Sequence, residues 1–321
     1  MLEVSDRAKT LKPAVDTVLF DMDGVLLDVT NSIREALIRT VPYYLREVLG
    51  WPTSDSLITT DDVERFKNAG GFNDDIDLAC ALIVHYLVRG HENPDASPDT
   101  LNILQPNLKR YVARLAERGG GLKVAEEICL EHFTREDKVA IDADYRKQVI
   151  TQVFTELFAG EHHAMLYGRA PTLYTGRGYV NNDVPLIDLS LINPKWKLGI
   201  LTGRDRAEAS FGLKTALLSG VIPEENIVSK SDGQKKPKPG GLLVLDQMLM
   251  SNVSVYIGDT LDDLRTVQNA NRTLGTTKFL GALVLSGPAG AANTKSFRTA
   301  GPDILADDVN GVLRWLAETA E

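Results

Sequence analysis

The sequence predicts an α/β protein in which helices cover a parallel sheet and a large helical block is inserted into it. After residue 183, short apolar runs alternate with segments of helical periodicity, which is typical of a parallel sheet. Between residues 30 and 180, helical patterns follow one another and strand signals are scarce. The apolar run Val18–Phe20 precedes this block and belongs to the sheet. We therefore expect a core of residues 1–30 and 184–321 and an inserted domain of residues 31–183.

Composition narrows the classes of function. With 321 residues, 43% of them hydrophobic, the chain is long enough for two domains. The net charge of −9 argues against nucleic acid or an anionic membrane as the main partner. No apolar run approaches the roughly 18 residues that span a bilayer, and no secretory signal is visible. Because Cys80 and Cys129 also lack CxxC spacing, we expect core thiols and a cytoplasmic protein.

The elements before the insertion are short. Residues 1–14 are polar, and we expect a loosely docked arm there. The first strand then runs to Asp21. A helix is expected from near Ser32, since Ser32 and Glu35 have the spacing of a capping box, and the stretch 50–52 ends it.

The inserted block carries a series of helices. The second helix is predicted to begin at Thr59, where Thr59 and Asp62 have capping-box spacing, and to end at Asn68. The glycine-broken loop 69–75 follows, and a third helix is predicted to end at Gly90. Three further helical patterns complete the block: Leu101–Arg118, Lys123–Phe133 and Asp142–Phe158.

The second half of the chain alternates between strands and helices, which predicts parallel strands. The strand candidates are Trp196–Leu201, Asn226–Ser229, Val253–Ile257, Ala282–Leu285 and Asp303–Leu305. The helix candidates are Glu208–Leu218, Leu242–Met250, Asp262–Asn269 and Val309–Thr319.

Two carboxylates stand at the end of the first strand. Residues i and i+2 of an extended chain point the same way, so Asp21 and Asp23 can face one site. The carboxyl end of a parallel strand is where open α/β sheets place their ligands. Two like charges there are costly unless a cation joins them. Taken alone, the stretch fits a strand followed by an acidic turn equally well.

Polar groups that complement this pair follow two other strands. Thr202 and Gly203 come after one of them, and Asp259 and Asp263 come after another. The lysine-rich loop 235–239 lies between the two. Because parallel strands present these ends on one edge of the sheet, we expect the groups to converge.

This combination of groups suits phosphoryl transfer. Asp21 and Asp259 would hold Mg²⁺, which prefers oxygen ligands. Asp21, next to the ion and an ammonium group, would attack phosphorus and form an aspartyl-phosphate. The Thr202 hydroxyl, the backbone N–H groups that follow it and a lysine would bind the phosphoryl oxygens. Asp23 would protonate the leaving oxygen and later activate water.

The chain resembles the haloacid dehalogenase (HAD) superfamily in four motifs that occur in the expected order. They are Asp21-Met-Asp-Gly-Val, Leu201-Thr-Gly-Arg, Lys236-Pro-Lys-Pro and Gly258-Asp-Thr-Leu-Asp-Asp263. The resemblance implies a Rossmann-like core with a helical C1 cap inserted after the first motif. It also implies a hydrolase that uses Mg²⁺.

The resemblance implies a role for each motif residue. Asp21 is the nucleophile and a metal ligand, and Asp23 is the general acid/base with its backbone carbonyl on the metal. Thr202, with Gly203 beside it, holds the phosphoryl group. Asp259 ligates Mg²⁺.

Two further roles follow from the same resemblance. Asp263 orders the waters of the metal ion and the phosphate-binding lysine. Lys235, Lys236 and Lys238 compete for that lysine's role, and the Lys-Pro-x-Pro pattern favours Lys236.

A narrower resemblance covers the insertion. The segment Phe66-Lys-Asn-Ala-Gly-Gly-Phe-Asn-Asp-Asp75 is similar to that of a small group in HAD subfamily IA, which has no settled substrate. In some members the domain adjoins histidine-biosynthesis enzymes, a hint towards histidinol phosphate. Lys67, Asn73 and Asp74 are candidates for contacts with the leaving group. A glycine C-cap followed by an N-capping Asn/Asp pair explains most of the same loop.

Arg204 has two interpretations. It could face the cleft and bind substrate. It could also pair with Glu208 one helical turn later, and we favour this pair.

We expect a Mg²⁺-dependent phosphomonoesterase that acts on a small phosphorylated metabolite. A dehalogenase is disfavoured because Asp23 would have no role in halide displacement. Two alternatives stay open: a phosphomutase of the β-phosphoglucomutase type and a catalytically silent binding or regulatory protein. The insertion is larger than the usual C1 cap, and its extension from about residue 90 to 180 could close over the substrate or support a homodimer.

Overall fold

The computed structural model of the protein describes residues 1–72, 74–233, 235–288 and 290–318. The chain forms two compact units. The core unit contains residues 1–30 and 182–321, and the inserted unit contains residues 31–181.

Nine strands are found among the described residues, all of them in the core unit. They are β1 (Leu2–Val4), β2 (Val15–Phe20), β3 (Leu27–Asp28), β4 (Val184–Pro185), β5 (Lys197–Leu201), β6 (Ile227–Val228), β7 (Val253–Gly258), β8 (Phe279–Val284) and β9 (Ile304–Ala306). Seven of them form one sheet in the order β1-β9-β8-β7-β2-β5-β6. Every pair in this sheet is parallel except β1 with β9, while β3 and β4 form a separate antiparallel pair.

Fifteen α-helices are described. They are α1 (Asp6–Leu11), α2 (Ile33–Tyr43), α3 (Thr60–Ala69), α4 (Asp75–Glu92), α5 (Pro98–Leu101), α6 (Leu108–Glu117), α7 (Leu122–Leu130), α8 (Arg135–Asp144), α9 (Lys147–Ala159), α10 (His163–Tyr167), α11 (Arg206–Thr215), α12 (Gly240–Leu249), α13 (Leu261–Leu274), α14 (Gly290–Ala300) and α15 (Val309–Ala317). A π-helix at Tyr44–Val48 continues α2. The parallel sheet with its helices confirms the predicted fold class.

The sheet register brings three strand ends together. Phe20 of β2 is paired with Ile200 of β5 on one side and with Ile257 of β7 on the other. Behind these strands, Leu19 and Tyr256 pack in a buried cluster with residues of α12 and α13. Burying one large apolar side chain contributes roughly 1.5–3 kcal/mol, so this layer holds the strand ends firmly.

Helix α4 is the central helix of the inserted unit. Its residues Leu78–Arg89 are all buried, which is expected of a helix that is surrounded by others. His85 stacks on Tyr111, with ring centroids 4.6 Å apart. Burial lowers the pKa of His85 to about 3, and the charge of Arg89 adds to the shift. None of the helices in the described part of the chain is both long and apolar enough to cross a bilayer.

The expectation of a loosely docked N-terminal arm is wrong. Strand β1 pairs with β9 at the edge of the sheet, and α1 follows, capped by Ser5. The buried carboxylate of Asp303 accepts from Arg7 Nε at 2.6 Å and from the backbone N–H of Gly281 at 2.9 Å. The arm is polar because an edge strand exposes most of its side chains to water.

Two helix boundaries in the insertion differ from the prediction. Thr59 and Asp62 form the expected capping box, but Ser32 makes no capping hydrogen bond because its backbone lies outside the extended region that a cap requires. Helix α4 continues past Gly90. A Cβ at Gly90 would fall 2.5 Å from the ring of Trp51, so this glycine makes room for an aromatic side chain.

Two further predicted helices have different bounds in the structure, and helix α14 has no counterpart in the prediction. The pattern at Asp142–Phe158 is divided between α8 and α9, where the Tyr44 hydroxyl donates to the carbonyl of Asp144 and accepts from the N–H of Arg146. The helix expected from Leu101 begins only at Leu108, since Pro106 lacks an N–H and Asn107 caps α6.

Candidate active site

Asp21 follows β2 at the carboxyl edge of the sheet and is almost fully buried. Its backbone N–H donates to the carbonyl of Ile257 in the neighbouring strand, at 2.8 Å. Its Oδ1 accepts from the backbone N–H of Met22 at 2.8 Å, and its Oδ2 accepts from Lys236 Nζ at 2.7 Å. Because both oxygens are held, the carboxylate has one defined orientation.

Lys236 is the lysine that contacts the strand-end acids. Its Nζ lies 2.7 Å from Asp21 Oδ2 and 2.7 Å from Asp263 Oδ1. Lys235 and Lys238 are exposed. Of the three candidate lysines, Lys236 alone reaches Asp21 in the described part of the chain.

Asp263 is fully buried in the first turn of α13 and accepts four hydrogen bonds. Its Oδ2 accepts from the N–H and the hydroxyl of Thr260, at 3.0 and 2.6 Å. Its Oδ1 accepts from Lys236 Nζ at 2.7 Å and from the Tyr256 hydroxyl at 2.9 Å. Burial alone would raise the pKa of Asp263, but Lys236 and these hydrogen bonds hold it below its usual range. Asp263 is therefore a charged anchor for Lys236.

Asp259 follows β7 and lies between two glycines. A Cβ added to Gly24 would fall 2.4 Å from Asp259 Oδ2, and one added to Gly287 would fall 2.0 Å from the same oxygen. Only residues without a side chain leave room for this carboxylate. One oxygen each from Asp21, Asp259 and Asp263 lie within 4.8 Å of one another.

The three acids lie near one partly buried cation, Lys236, which pairs directly with Asp21 and Asp263. Burial raises the pKa of Asp21 to about 7; Lys236 opposes this shift, and Asp263 and Asp23 add to it. Burial also raises the pKa of Asp259 well above its usual range, and the charges of Asp263 and Asp21 add to it. Burial alone would lower the pKa of Lys236, but Asp21 and Asp263 raise it well above its usual range. The ammonium group stays charged, and one positive charge does not balance three carboxylates.

The chemistry of these donors fits a hard divalent cation. Mg²⁺ takes oxygen ligands and is commonly bound through one or two carboxylates with several waters. Asp263 already accepts four hydrogen bonds from the protein. Asp21 and Asp259 are therefore the better candidates for direct ligands.

Thr202 and Gly203 follow β5 at the same edge of the sheet. The N–H of Thr202 donates to the carbonyl of Val228 at 3.0 Å, and its hydroxyl accepts from the N–H of Arg204 at 3.2 Å. Gly203 is exposed, and no neighbouring heavy atom lies within 4 Å of a Cβ added there. The backbone at Gly203 is thus open to close approach by an anion.

Arg204 is buried and binds two carboxylates. Its Nε and Nη2 lie 2.8 and 2.7 Å from Asp23 Oδ1, and Nη2 also lies 2.9 Å from Asp183 Oδ2. Burial alone would lower the pKa of Arg204, but Asp23 and Asp183 raise it. The predicted pair with Glu208 is wrong, because Arg204 precedes the N-cap Asp205 and is not helical; the Glu208 carboxylate accepts from the N–H of Asp205 instead.

In the inserted unit, Lys67 and Asp74 have partners of their own. Lys67 Nζ lies 2.7 Å from Asp75 Oδ1. Asp74 Oδ1 accepts from the N–H of Ile76 at 3.0 Å and caps α4. Asn73 lies outside the described residues. Capping therefore accounts for Asp74, and contacts of Lys67 with a leaving group stay a prediction.

Two glycine-rich turns of the inserted unit pack backbone against backbone. The N–H of Gly121 donates to the carbonyl of Gly70 at 3.1 Å. A Cβ at Gly71 would fall 2.7 Å from the Gly121 nitrogen, and one at Gly120 would fall 2.0 Å from the Gly70 oxygen. The extension of the insertion thus supports the loop that follows α3.

The sequence prediction missed three residues of this site: Tyr256, Asp183 and Gly287. Tyr256 carries a hydroxyl within a completely buried strand, which is a signal that could have identified it. Gly287 comes shortly after β8, at the edge where the other site residues lie. Asp183 has no local signal, because its contact with Arg204 depends on the fold.

Comparison with known families agrees with the fold. The family of haloacid dehalogenase-like hydrolases matches residues 15–271, which include all four motifs and most of the chain. The protein therefore belongs to the haloacid dehalogenase-like hydrolase family and is a hydrolase.

Individual relatives are distant. An X-ray structure from a structural genomics consortium has a TM-score of 0.63 at 16% identity, covers 94% of this chain and 98% of its own, and shows the fold alone. A HAD family hydrolase from Deinococcus radiodurans, with bound phosphate and sodium, has a TM-score of 0.43 at 15% identity over 94% of both chains. Imidazoleglycerol-phosphate dehydratase from Phytophthora nicotianae is 23% identical over 252 residues, 78% of this chain, which spans 40% of that protein's length.

Proposed function

We propose that this hydrolase is a Mg²⁺-dependent phosphatase that cleaves a small phosphomonoester through an aspartyl-phosphate on Asp21. One observation carries the proposal: a second, partly exposed carboxylate accompanies the buried Asp21. The side chain of Asp23 is 31% exposed, and its Oδ2 makes no hydrogen bond with a described residue. A departing alkoxide needs a proton from such a group, whereas a departing halide does not.

The reaction takes two steps. In the first, an Asp21 oxygen attacks phosphorus, the ester P–O bond breaks, and Asp23 gives its proton to the departing oxygen. In the second, Asp23 takes a proton from water, the water oxygen attacks phosphorus, and the bond from phosphorus to Asp21 breaks to release phosphate. Lys236 and the Thr202 hydroxyl hold the other phosphoryl oxygens. Asp21 and Asp259 would hold Mg²⁺, which would supply positive charge to the phosphoryl group.

For the substrate we propose a phosphate monoester that carries an imidazole, with histidinol phosphate as the first compound to test. Support comes from the similarity to the Phytophthora nicotianae protein, which is named for an imidazole-bearing phosphate ester. This chain spans 40% of that protein's length. We therefore use the similarity to propose a class of substrate, and we do not propose a dehydration reaction.

The test is hydrolysis of p-nitrophenyl phosphate with and without Mg²⁺, by the wild type and by Asp21→Asn. We expect Mg²⁺-dependent release of phosphate by the wild type and none by Asp21→Asn. A panel of metabolite phosphates that includes histidinol phosphate then identifies the substrate.

Three results would contradict the proposal. Isomerisation of a sugar phosphate with little free phosphate would indicate a mutase. Binding of phosphate esters without turnover on the whole panel would indicate a silent binding protein. Halide release from a 2-haloacid, without phosphatase activity, would indicate a dehalogenase.

A further inference from the structure

We infer that Arg204 positions the general acid/base by holding one oxygen of Asp23, so that the other oxygen carries the proton. The inference rests on the proposed function, since Asp23 has this role only if the leaving group needs a proton. Arg204 would then act through Asp23 and would not touch the substrate.

The two oxygens of Asp23 have different surroundings, because Arg204 contacts only Oδ1. Arg204 Nε donates to Oδ1 at 2.8 Å, and Nη2 lies 2.7 Å from the same oxygen. A proton is disfavoured on an oxygen that faces two nitrogens of a guanidinium cation. Oδ2 is therefore the oxygen that is available to transfer a proton to the leaving group. The Asp23 side chain is 31% exposed and that of Arg204 only 2%, so the guanidinium supports the carboxylate from the protein side.

Asp183 binds Nη2, the guanidinium nitrogen that also lies close to Asp23. Its side chain is completely buried, and its Oδ2 lies 2.9 Å from Arg204 Nη2. Val184, the next residue, is paired with Asp28 in the small sheet of β3 and β4. Strand β3 follows Asp23 by only a few residues. Asp23 and Asp183 are thus joined twice, through the paired strands and through Arg204.

Gly212 of α11 leaves room for this arrangement. A Cβ at Gly212 would fall 2.4 Å from Met22 Sδ and 3.0 Å from Arg204 Nη1. Nη1 is buried and has no hydrogen-bond partner among the described residues. The third nitrogen of Arg204 therefore points at a helix. None of the three is left for a substrate.

The test compares two esters in Arg204→Lys, Arg204→Met and Asp183→Asn. The leaving group of an aryl phosphate departs without a proton, whereas that of an alkyl phosphate needs one. We expect kcat on the alkyl ester to fall on the order of 10- to 100-fold, with little change in KM. The burst of phenol from the aryl ester should change little. The phosphoenzyme should accumulate, because its hydrolysis needs Asp23 as a base.

The variants are ordered by what they remove. Arg204→Lys keeps the charge without the two-pronged geometry and should restore part of the activity that Arg204→Met loses. Asp183→Asn leaves Arg204 and Asp23 unchanged, and it should give the same pattern even if Arg204→Met does not fold. Arg206→Met removes a half-buried arginine on α11 that binds Asp232 and two backbone carbonyls but contacts neither Asp23 nor Asp183, and it should change the rate on neither ester.

A loss in the rate of the phenol burst as large as the loss in kcat on the alkyl ester, or a change in KM alone, would overturn the inference. Absence of phosphatase activity in the wild type would overturn the proposed function and this inference with it. The two failures are distinguishable, because failure of the inference can be observed only when the wild type is an active phosphatase.

Discussion

The carboxylate of Asp259 lies against the α-carbon of Gly24, so that a Cβ at position 24 would fall 2.4 Å from Asp259 Oδ2. Gly24 has a φ of +73°, which L side chains rarely adopt. Its carbonyl accepts from the Ser286 hydroxyl at 2.6 Å, which fixes the turn after Asp23. Gly24 thus allows the turn after Asp23 and also leaves room for Asp259, a proposed Mg²⁺ ligand.

Gly24→Ala should weaken Mg²⁺ binding on the order of 10- to 100-fold, because Asp259 has to move. Gly220→Ala is the matched control: Gly220 has a φ of +84° and no neighbouring atom within 4 Å of an added Cβ. It shares the backbone strain, about 1–2 kcal/mol, without the clash. Calorimetric titration with Mg²⁺ measures the difference, and equal affinities in the two variants would contradict the role of Gly24.

Lys236→Met should abolish most activity, with a loss on the order of 100- to 1,000-fold, because the phosphoryl oxygens lose a positive charge. Without Mg²⁺ it should also lower the free energy of unfolding by about 3–5 kcal/mol, since Asp21 and Asp263 lose their buried partner. Urea unfolding and phosphate release measure the two effects. Lys238→Met removes an exposed lysine of the same loop and should be neutral in both. A comparable loss in that control would refute the assignment to Lys236.

Asp23→Asn should retain Mg²⁺ binding and lose leaving-group protonation. Hydrolysis of an alkyl phosphate should therefore fall more than hydrolysis of an activated aryl phosphate. Single-turnover rates of ester cleavage on both compounds, with Mg²⁺ affinity measured in parallel, check this. Equal losses on the two esters would count against Asp23 as the acid.

Tyr256→Phe should lower the free energy of unfolding by about 1–3 kcal/mol, because the buried carboxylate of Asp263 loses a hydrogen bond of 2.9 Å. It should also reduce kcat, since the same hydroxyl lies 3.4 Å from Lys236 Nζ. Tyr86→Phe is the control, because its buried hydroxyl donates to Asn102 in the inserted unit. It should cost similar stability without changing kcat. If kcat is the same in both variants, Tyr256 has no part in placing Lys236.

Glu156 should make the inserted unit sensitive to acid. Burial raises the pKa of Glu156, but hydrogen bonds from Gln152 and from the N–H groups of residues 172–174 outweigh it, so the folded-state pKa is lowered. Glu156 then stabilises the fold above its unfolded pKa of about 4.3, and this stabilisation is lost as the pH falls through the folded value.

The measurement is the free energy of unfolding of wild type and Glu156→Gln as a function of pH. The difference should be largest near neutral pH and shrink below about pH 4.3. Glu136→Gln removes an exposed carboxylate of α8 and should show no such pH dependence. A difference that stays constant from neutral to acid pH would be inconsistent with a lowered pKa at Glu156.

Local patterns predicted the buried strands well and the peripheral elements poorly. The apolar runs that became β5 and β7 are recognisable because strands buried on both faces carry continuous apolar residues. Strand β1 was missed because its polar residues are stabilised by pairing with a distant edge of the sheet. Gly90 predicts a helix end by its residue type, but the helix continues and this glycine makes room for Trp51.

The sequence by itself determined the fold class, the family and the acids at the strand ends. These follow from short-range order, because an apolar strand and the residues after it are adjacent in the chain. Only the tertiary structure decided that Lys236 meets Asp21, 215 residues away, and that Arg204 meets Asp23 and Asp183. Such contacts depend on strand register and loop path, and no local spacing encodes them.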